Sequence, residues 1–356
     1  MRKTYGVALI GCGHMGEAHL SQIYYKENVR LEFVCDLDEA KALSFQKRYG
    51  ARHFCTDSQV CISSPQVDIV IIATYPSTHL ELAQQCILHQ KHVICEKPIA
   101  PDLEAGRRFV QLVKANPGCR VLVGHILRHN ATYQKVARMI QSGAIGKPIV
   151  FRMVQNHHTM DWEKYLAILK ETSPLLDCGV HYVDVMQWFT GARVQRVTAS
   201  GSRTEASVPE GSFNYGFMTL ELDDGSVGYY EAGWSNTFSS DNLKEFVGPG
   251  GSIRIIYRKD RQTHQEEGDL IEYYKYPEKE YEMINLQSDR KPTGAQFDHL
   301  IRMIEEGCAA NPSIEEVFES FMVCCDAQKQ VLAKLKQQEK QRGTSYRQTV
   351  VENLSF

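Results

Sequence analysis

A chain of 356 residues, of which 43% are hydrophobic and 23% charged, has the length of two ordinary domains and the composition of a globular protein. Its formal net charge of -3, with no basic stripe, argues against a nucleic-acid partner. We expect no membrane span, because no apolar run approaches ~20 residues. No secretory leader precedes the first predicted strand, and the 11 cysteines include no CxxC pair, so we expect a cytoplasmic protein with reduced thiols.

The chain opens with a dinucleotide-binding pattern. Residues 5–10 are almost wholly apolar, which is typical of a strand buried on both faces, and residues 17–25 favour a helix. The intervening GCGHMG motif has the GxGxxG spacing, in which the glycines allow a tight turn, close approach of a pyrophosphate and packing of the helix on the strand. The motif residues expected at the cofactor are Gly11, Gly13, His14, Met15 and Gly16.

The next apolar run, residues 31–35, ends in Asp36, 20 residues beyond the last glycine of the motif. An acid there accepts hydrogen bonds from the adenosine ribose hydroxyls and repels a 2′-phosphate. Leu37 and Asp38 follow, and no arginine stands ready for that phosphate. We therefore predict NAD as cofactor in preference to NADP, although Lys41 leaves a dual preference open.

Strands and helices then alternate up to residue 124, which predicts a Rossmann domain over residues 1–124. The predicted strands are 67–74, 92–95 and 121–124, and the predicted helices are 80–89 and 102–114. The segment from Ala73 to His79 follows the first of these strands.

Glu96-Lys97-Pro98 ends the strand at residues 92–95, since proline cannot continue a central strand. Glu96 and Lys97 should therefore lie outside the carboxyl end of the sheet, where open α/β sheets bind ligands. Beside a nicotinamide, Lys97 would be a donor aimed at a substrate oxygen; the alternative is a solvated surface lysine. Pro98 would fix the turn that aims Lys97, and a cis bond is one way to do so.

After a bridge with a helix over 131–142, the pattern changes to strands joined by turns, which predicts a mostly antiparallel sheet. The predicted strands are 149–155, 194–202, 213–222, 226–234, 243–248, 252–257, 270–276 and 280–285; the helices are 173–189, 294–307 and 313–336. We predict a second domain over 125–336 and a solvated tail over 337–356.

Asp177 and His181 stand four residues apart in the predicted helix 173–189, so they share a helical face, and Asp184 adds a third polar group. A histidine oriented by a carboxylate can exchange a proton near neutral pH. The alternative is a buried histidine satisfied by an aspartate. A metal site from His157, His158, His181 and Cys178 lacks the usual ligand spacing, so we predict no metal.

These motifs, in this order, resemble the Gfo/Idh/MocA (glucose–fructose oxidoreductase / inositol dehydrogenase) family over nearly the whole chain. The resemblance implies an α/β fold: an N-terminal Rossmann domain plus a C-terminal α+β domain with a large open, mostly antiparallel sheet. That sheet often joins the subunits of family dimers and tetramers, so we expect a homo-oligomer.

The resemblance also implies the residue roles. Lys97 would polarise the reacting hydroxyl, His181 would be the acid/base, and Asp177 would bind substrate and tune the other two. The cofactor set gains Leu37, Thr74, Tyr75, Pro76, His79, Glu96 and Lys97, with Tyr75 standing where the family usually has a proline. The substrate set gains Arg128 from the family position, and Asn156 and His157 from their place after the first strand of the second domain.

The predicted activity is NAD-dependent hydride transfer from a secondary hydroxyl of a sugar, glycoside or cyclic polyol, either glycoside 3-oxidation, which we prefer, or inositol oxidation. Two alternatives remain. One is a glycoside hydrolase that uses bound NAD for transient oxidation and elimination. The other is a catalytically silent NAD-sensing regulator, which should have lost Lys97 or His181.

Overall fold

The computed structural model describes residues 3–159, 161–257 and 269–342. The chain forms two compact units. One comprises Met1–Ser142, Ile255–Tyr273 and Tyr281–Met322, and the other comprises Gly143–Arg254, Tyr274–Glu280 and Val323–Phe356. The predicted division at residues 124 and 336 stays a prediction about folding domains.

The first sheet has six strands in the order β3-β2-β1-β4-β5-β6, with parallel neighbours throughout. This is the strand order of a Rossmann fold, as predicted. Its elements are β1 (Tyr5–Ile10), α1 (His14–Ile23), β2 (Val29–Cys35), α2 (Glu39–Tyr49), β3 (His53–Cys55), α3 (Ser58–Ile62), β4 (Ile69–Ile72), α4 (Pro76–Leu88), β5 (His92–Cys95), α5 (Leu103–Ala115) and β6 (Val121–Val123). The sequence patterns did not predict α2, β3 or α3.

Helices cover this sheet on both faces, which is why its strands are continuous apolar runs: every residue of β1 and β4 is buried. A late segment, α10 (Thr293–Glu305), contributes Phe297, Leu300 and Met303 to the same core as Leu9. A segment distant in sequence therefore completes the nucleotide-binding unit.

The second sheet has eight strands in the order β14-β13-β12-β11-β7-β10-β9-β8. Among the pairings described, β7–β10 is parallel and the others are antiparallel, as predicted. Its strands are β7 (Val150–His158), β8 (Val194–Ser202), β9 (Tyr215–Leu222), β10 (Val227–Ser235), β11 (Lys244–Gly248), β12 (Gly251–Tyr257), β13 (Asp269–Lys275) and β14 (Glu280–Leu286). The α/β fold class is confirmed.

The remaining helices are α6 (Ala131–Gln141), α7 (Trp162–Leu169), α8 (Pro174–Asp177), α9 (Gly179–Thr190) and α11 (Ile314–Arg342), with a 3₁₀ turn at Ile126–His129. Helix α7 was not predicted, and the single helix expected at 173–189 is divided at Cys178. Helix α11 continues six residues past 336, where a tail was expected. The rest of that predicted tail, from residue 343, lies outside the described residues.

Within the described ranges, none of the helices combines the length and apolar character needed to span a membrane. All 11 cysteines are free thiols, as expected.

Candidate active site

The glycine motif forms a tight turn that depends on Gly11 and Gly16. Gly11 has φ +100°, a region that glycine favours, and a Cβ there would lie 2.4 Å from the Ala73 carbonyl oxygen. A Cβ on Gly16 would lie 2.1 Å from the Gly11 oxygen, so only glycine lets α1 approach β1 this closely. Gly13 has nothing within 4 Å of where its Cβ would be and caps α1 without any side-chain hydrogen bond. The first amides of α1 and the space beside Gly13 therefore fit a dinucleotide phosphate.

Asp36 is held at the end of β2 by two backbone donors. Its Oδ2 accepts a hydrogen bond from the Cys12 amide at 2.8 Å, and its Oδ1 accepts one from the Asp38 amide at 2.9 Å. Leu37 beside it is 93% exposed. Lys41 lies 3.6 Å from Asp38 in an ion pair, so its charge is already opposed by a neighbouring carboxylate. This arrangement fits a ribose with free hydroxyls, and so NAD.

The segment after β4 is tied to the turn after β5. Thr74 and Thr78 share a hydroxyl hydrogen bond of 2.7 Å, Tyr75 is exposed, and Pro76 begins α4. His79 is fully buried, with Nδ1 2.9 Å from the Pro98 oxygen and Nε2 3.2 Å from the Thr74 oxygen. Burial lowers the pKa of His79, which favours the neutral ring. This position joins the two turns; a direct contact of His79 with the cofactor stays a prediction.

Glu96 is buried, 3% exposed, at the carboxyl end of β5, while Lys97 is half-buried. His19 Nε2 lies 2.7 Å from Glu96 Oε1. Burial raises the pKa of Glu96, but the hydrogen bond from His19 and the nearby Lys97 charge outweigh it, so the pKa is lowered and the carboxyl stays ionised. A Cβ on Gly124 would lie 2.7 Å from Glu96 Oε2, so Gly124 makes room for the carboxylate. The bond before Pro98 is cis.

Two polar residues that contact Glu96 or the glycine motif were not predicted. His19 shares the buried face of α1 with Gly16, Leu20 and Ile23. A buried histidine on an otherwise apolar helical face requires a hydrogen-bond partner. Its place in the apolar pattern of the helix was therefore the available sign of a buried polar contact. Lys291 contacts His14 Nε2 in the glycine motif, and its Nζ lies 3.7 Å from the Met15 sulfur. No local pattern links Lys291 to a motif 277 residues earlier.

Asp177 and His181 flank a short break between two helices. Asp177 ends α8, Cys178 remains in the right-handed helical region, and α9 begins at Gly179. The four-residue spacing therefore still places Asp177 and His181 on the same side of the helical path. The Cys178 thiol donates to Asp177 Oδ2 at 3.4 Å. Asp177 and His181 are both partly exposed.

Asp184, by contrast, is 2% exposed and lies on the packed side of α9. Gly179 lets α9 lie close to the sheet, because a Cβ there would be 3.2 Å from Met218 and 3.5 Å from Tyr230. The glycine in the Asp-x-Gly-x-His motif is therefore a packing position.

Asn156 and His157 lie on opposite faces of the second sheet. His157 pairs in register with Trp234, and both contact Tyr165, with His157 Nδ1 3.3 Å from its hydroxyl. Asn156 points to the other face, where its side-chain amide donates to Glu231 at 2.6 Å. Tyr230, on the Trp234 face, stacks on Tyr182 of α9 at 5.0 Å. Only His157 therefore shares the α9 side, and contact of Asn156 and His157 with substrate stays a prediction.

Arg128 is 4% exposed, and its guanidinium donates to Asn311 Oδ1 at 3.2 Å and to Glu316 Oε1 at 3.0 Å. These contacts give it a structural role within the first unit. Its contact with substrate stays a prediction.

Comparison with known proteins agrees with this geometry. Residues 5–125 match the oxidoreductase family GFO_IDH_MocA, NAD-binding Rossmann fold, and residues 133–254 match the GFO/IDH/MocA C-terminal domain. Inositol 2-dehydrogenase 2 from Saccharopolyspora erythraea is 28% identical over 71% of this chain and 73% of its own length. Inositol 2-dehydrogenase from Rubrobacter xylanophilus is 28% identical over 70% of each protein.

Among solved structures, scyllo-inositol dehydrogenase from Lactobacillus casei, with bound NAD(H) and scyllo-inositol, superposes with a TM-score of 0.75 at 20% identity, covering 93% of this chain and 98% of its own. At that identity the likeness concerns the fold. The family matches span both the glycine motif and the Asp177–His181 segment, and the first unit fits NAD. The chain belongs to the Gfo/Idh/MocA family of oxidoreductases, whose N-terminal domain is an NAD-binding Rossmann fold.

Proposed function

We propose that this enzyme oxidises a secondary hydroxyl of a cyclic polyol of the inositol class to the ketone. The observation that carries the proposal is the presence of both Glu96-Lys97-Pro98 and Asp177/His181 in a chain matched over 71% of its length by an inositol 2-dehydrogenase. Bound NAD supplies the hydride acceptor. The glycoside 3-oxidation preferred from sequence has no support among these relatives, and it becomes an outcome of the test.

The chain's own groups divide the remaining work. His181 takes the proton of the reacting hydroxyl, because a partly exposed imidazole can both accept a proton and pass it to water. Lys97 supplies a positive charge that stabilises the developing alkoxide. Asp177 accepts a hydrogen bond from the substrate and orients it. The intact Lys97 and His181 also argue against a silent NAD-sensing regulator.

Buried Glu96, with its lowered pKa, contributes a fixed negative charge beside Lys97. The two opposite charges attract each other, and the Lys97 amide also lies 3.4 Å from Glu96 Oε2. His19, in turn, holds Glu96. We propose this chain of contacts as the support for Lys97.

The test is a panel of myo-inositol, scyllo-inositol, glucose and methyl glucoside with NAD or NADP, following nicotinamide absorbance and the sugar products. We expect NADH and an inosose from at least one inositol. His181→Asn should lower kcat at least about a hundredfold, as expected for loss of a general base. His158→Asn is the matched control, because His158 is exposed and bonded to the Phe238 carbonyl, and it should keep full activity.

Oxidation of the glucoside alone would replace the polyol with a glycoside as substrate. Release of methanol from the glucoside without net NADH would instead indicate the hydrolytic alternative. Full turnover by His181→Asn would contradict the assigned base.

We further propose that the sheet face opposite α9 joins two copies of this chain. Tyr215, Phe217 and Tyr229 lie on that face half-buried, and the rings of Phe217 and Tyr229 are 6.1 Å apart. An apolar, aromatic face of this kind is typical of subunit contacts. Light scattering should give at least a dimer mass, and Phe217→Glu should lower it; an unchanged mass would contradict the proposed face.

A further inference from the structure

Three cysteine side chains meet at one edge of the first sheet. Cys35 ends β2, Cys55 ends β3, and Cys61 lies on α3, and their three Sγ atoms all lie within 4.8 Å of one another. Among the residues that the structure describes, this is the one group of three or more histidine, cysteine or acidic side chains close enough to share a metal ion.

The fold places these thiols firmly. Cys35 and Cys55 are directly paired in the parallel register of β2 and β3. Asp57 begins α3 by accepting a hydrogen bond from the Gln59 amide at 2.9 Å, which sets the helix that carries Cys61. All three positions therefore rest on backbone hydrogen bonds of regular elements.

The arrangement has the chemistry of a thiolate metal site. Zinc–sulfur bonds of about 2.3 Å in a tetrahedral site place the sulfurs about 3.8 Å apart, so small side-chain rotations would suffice here. Cys35 and Cys61 are 2% and 0% exposed, whereas Cys55 is partly exposed. The exposed side gives a cation a route in and leaves a fourth position for water. The spacing of these residues along the chain lacks a CxxC pair, which is why sequence patterns predicted no metal.

We propose that Cys35, Cys55 and Cys61 bind one thiophilic cation of the Zn²⁺ class, with release of the three thiol protons. The site adjoins Asp36, the acidic residue predicted to bind the ribose of the cofactor. Asp36 directly follows Cys35, and its amide donates to the Cys55 carbonyl at 3.3 Å. A bound cation would therefore hold the end of β2 and β3, where Asp36 meets the adenosine ribose. It lies at the β2–β3 edge of the first sheet, whereas Lys97 follows β5, and we assign it no part in hydride transfer.

The experiment uses the full-length chain, freed of metal by chelator under a phosphine reductant and then titrated with Zn²⁺ and, separately, with Co²⁺. Bound metal is counted by mass spectrometry after desalting, and Co²⁺ thiolate charge-transfer absorbance reports sulfur ligation. The variants are Cys55→Ser and Cys61→Ser. Cys119→Ser is the matched control, because Cys119 is a partly buried free thiol outside the group.

We expect one equivalent of metal and a thiolate band in the unaltered chain and in Cys119→Ser, and loss of both in Cys55→Ser and Cys61→Ser. Circular dichroism melting and NAD binding without metal establish that each variant is folded; if buried Cys61→Ser does not fold, partly exposed Cys55→Ser still decides the matter. The proposal is overturned if the unaltered chain retains no metal after desalting, if Cys55→Ser retains the same equivalent, or if bound Co²⁺ shows no thiolate band.

Discussion

Glu96, which directly precedes Lys97, forms a buried pair with His19. Both side chains are almost fully buried, and the 2.7 Å hydrogen bond between them opposes the cost of burying a carboxylate. His19→Ala leaves that charge without its partner, so we expect a loss of about 3 kcal/mol in the free energy of unfolding. Urea denaturation measures it. The double variant His19→Ala/Glu96→Gln should recover part of the loss, whereas a single-variant loss below about 1 kcal/mol would contradict the account.

The same pair makes a pH prediction. The pKa of Glu96 is lowered from 4.5 in the folded chain, so the ionised carboxylate stabilises the fold above about pH 4.5 and that contribution disappears as the pH falls through the lower, folded-state value. The unaltered chain should therefore lose stability in acid more steeply than Glu96→Gln. Equal acid slopes in urea denaturation from pH 6 to pH 3 would contradict this.

Lys244 is a second buried charge whose contribution to stability rises with pH, but in the alkaline range. It is fully buried, and its ammonium donates to the Val154 carbonyl at 2.7 Å and to Asn242 Oδ1 at 2.6 Å, and lies 4.4 Å from the centre of the Tyr182 ring. Burial lowers the pKa of Lys244 from 10.5 to about 7. Between those values the unfolded chain binds more protons, so this residue's contribution to stability rises with pH.

Comparison with Lys244→Met isolates that contribution. The free energy of unfolding of the unaltered chain, relative to Lys244→Met, should increase by about 3 kcal/mol from pH 7 to pH 10, by the usual conversion of a pKa shift. Denaturation at a series of pH values measures it. A difference that stays constant would mean that the carbonyl oxygens of Val154 and Leu243 and the Asn242 side chain keep Lys244 charged throughout.

Asp36 should set the choice of nicotinamide cofactor. Its carboxylate, fixed by the amides of Cys12 and Asp38, offers acceptors to ribose hydroxyls and repels a 2′-phosphate. Asp36→Ala should weaken NAD binding about tenfold. The ratio of the Kd for NADP to the Kd for NAD should fall by at least the same factor. Cofactor titration by fluorescence measures both. Glu39→Ala, which removes an exposed acid from the first turn of α2, is the control. An unchanged preference in Asp36→Ala would contradict the role.

At the scale of elements, β5 and β6 end together around the Glu96 carboxylate. Gly124, just beyond β6, leaves 2.7 Å between a notional Cβ and Glu96 Oε2, too little for a methyl group. Gly124→Ala should cost about 1–3 kcal/mol through overpacking and lower turnover by displacing Glu96. Gly118→Ala is a matched control, since nothing lies within 4 Å of its notional Cβ. Equal melting temperatures and turnover in both variants would contradict this packing argument.

Elements whose signals are local were predictable. The strands at 92–95 and 194–202 have the predicted bounds because apolar runs or alternation end there at clear breaks. Helices α1 and α4 begin three or four residues earlier than predicted, because a glycine cap and Pro76 already start the helical turn. The short elements β3 and α3 were missed, since three to five residues carry too little periodicity to stand out.

Pairings between distant residues were beyond such patterns. The His19–Glu96 bond joins residues 77 apart, and Lys291 reaches the glycine motif across 277. The opposite faces of Asn156 and His157 follow from strand alternation once β7 is known to extend to His158. Motifs predict candidate catalytic residues, whereas tertiary contacts decide which residues hold them in place.

At the scale of the whole molecule, Lys97 lies in the first unit, and Asp177 and His181 lie in the second. The central claim is that these groups serve direct hydride transfer from a ring carbon of a cyclic polyol to NAD. Direct transfer carries an isotope label from substrate carbon to cofactor, and no binding-only role does so.

In the most direct measurement, the enzyme is incubated with NAD and inositols deuterated at the ring carbons. The mass of the reduced cofactor is then determined by mass spectrometry. The account predicts NADH that is one mass unit heavier than that formed from unlabelled inositol, with its formation suppressed in His181→Asn and retained in His158→Asn. Intact NAD binding without any deuterated NADH, from every inositol in the panel, would contradict it.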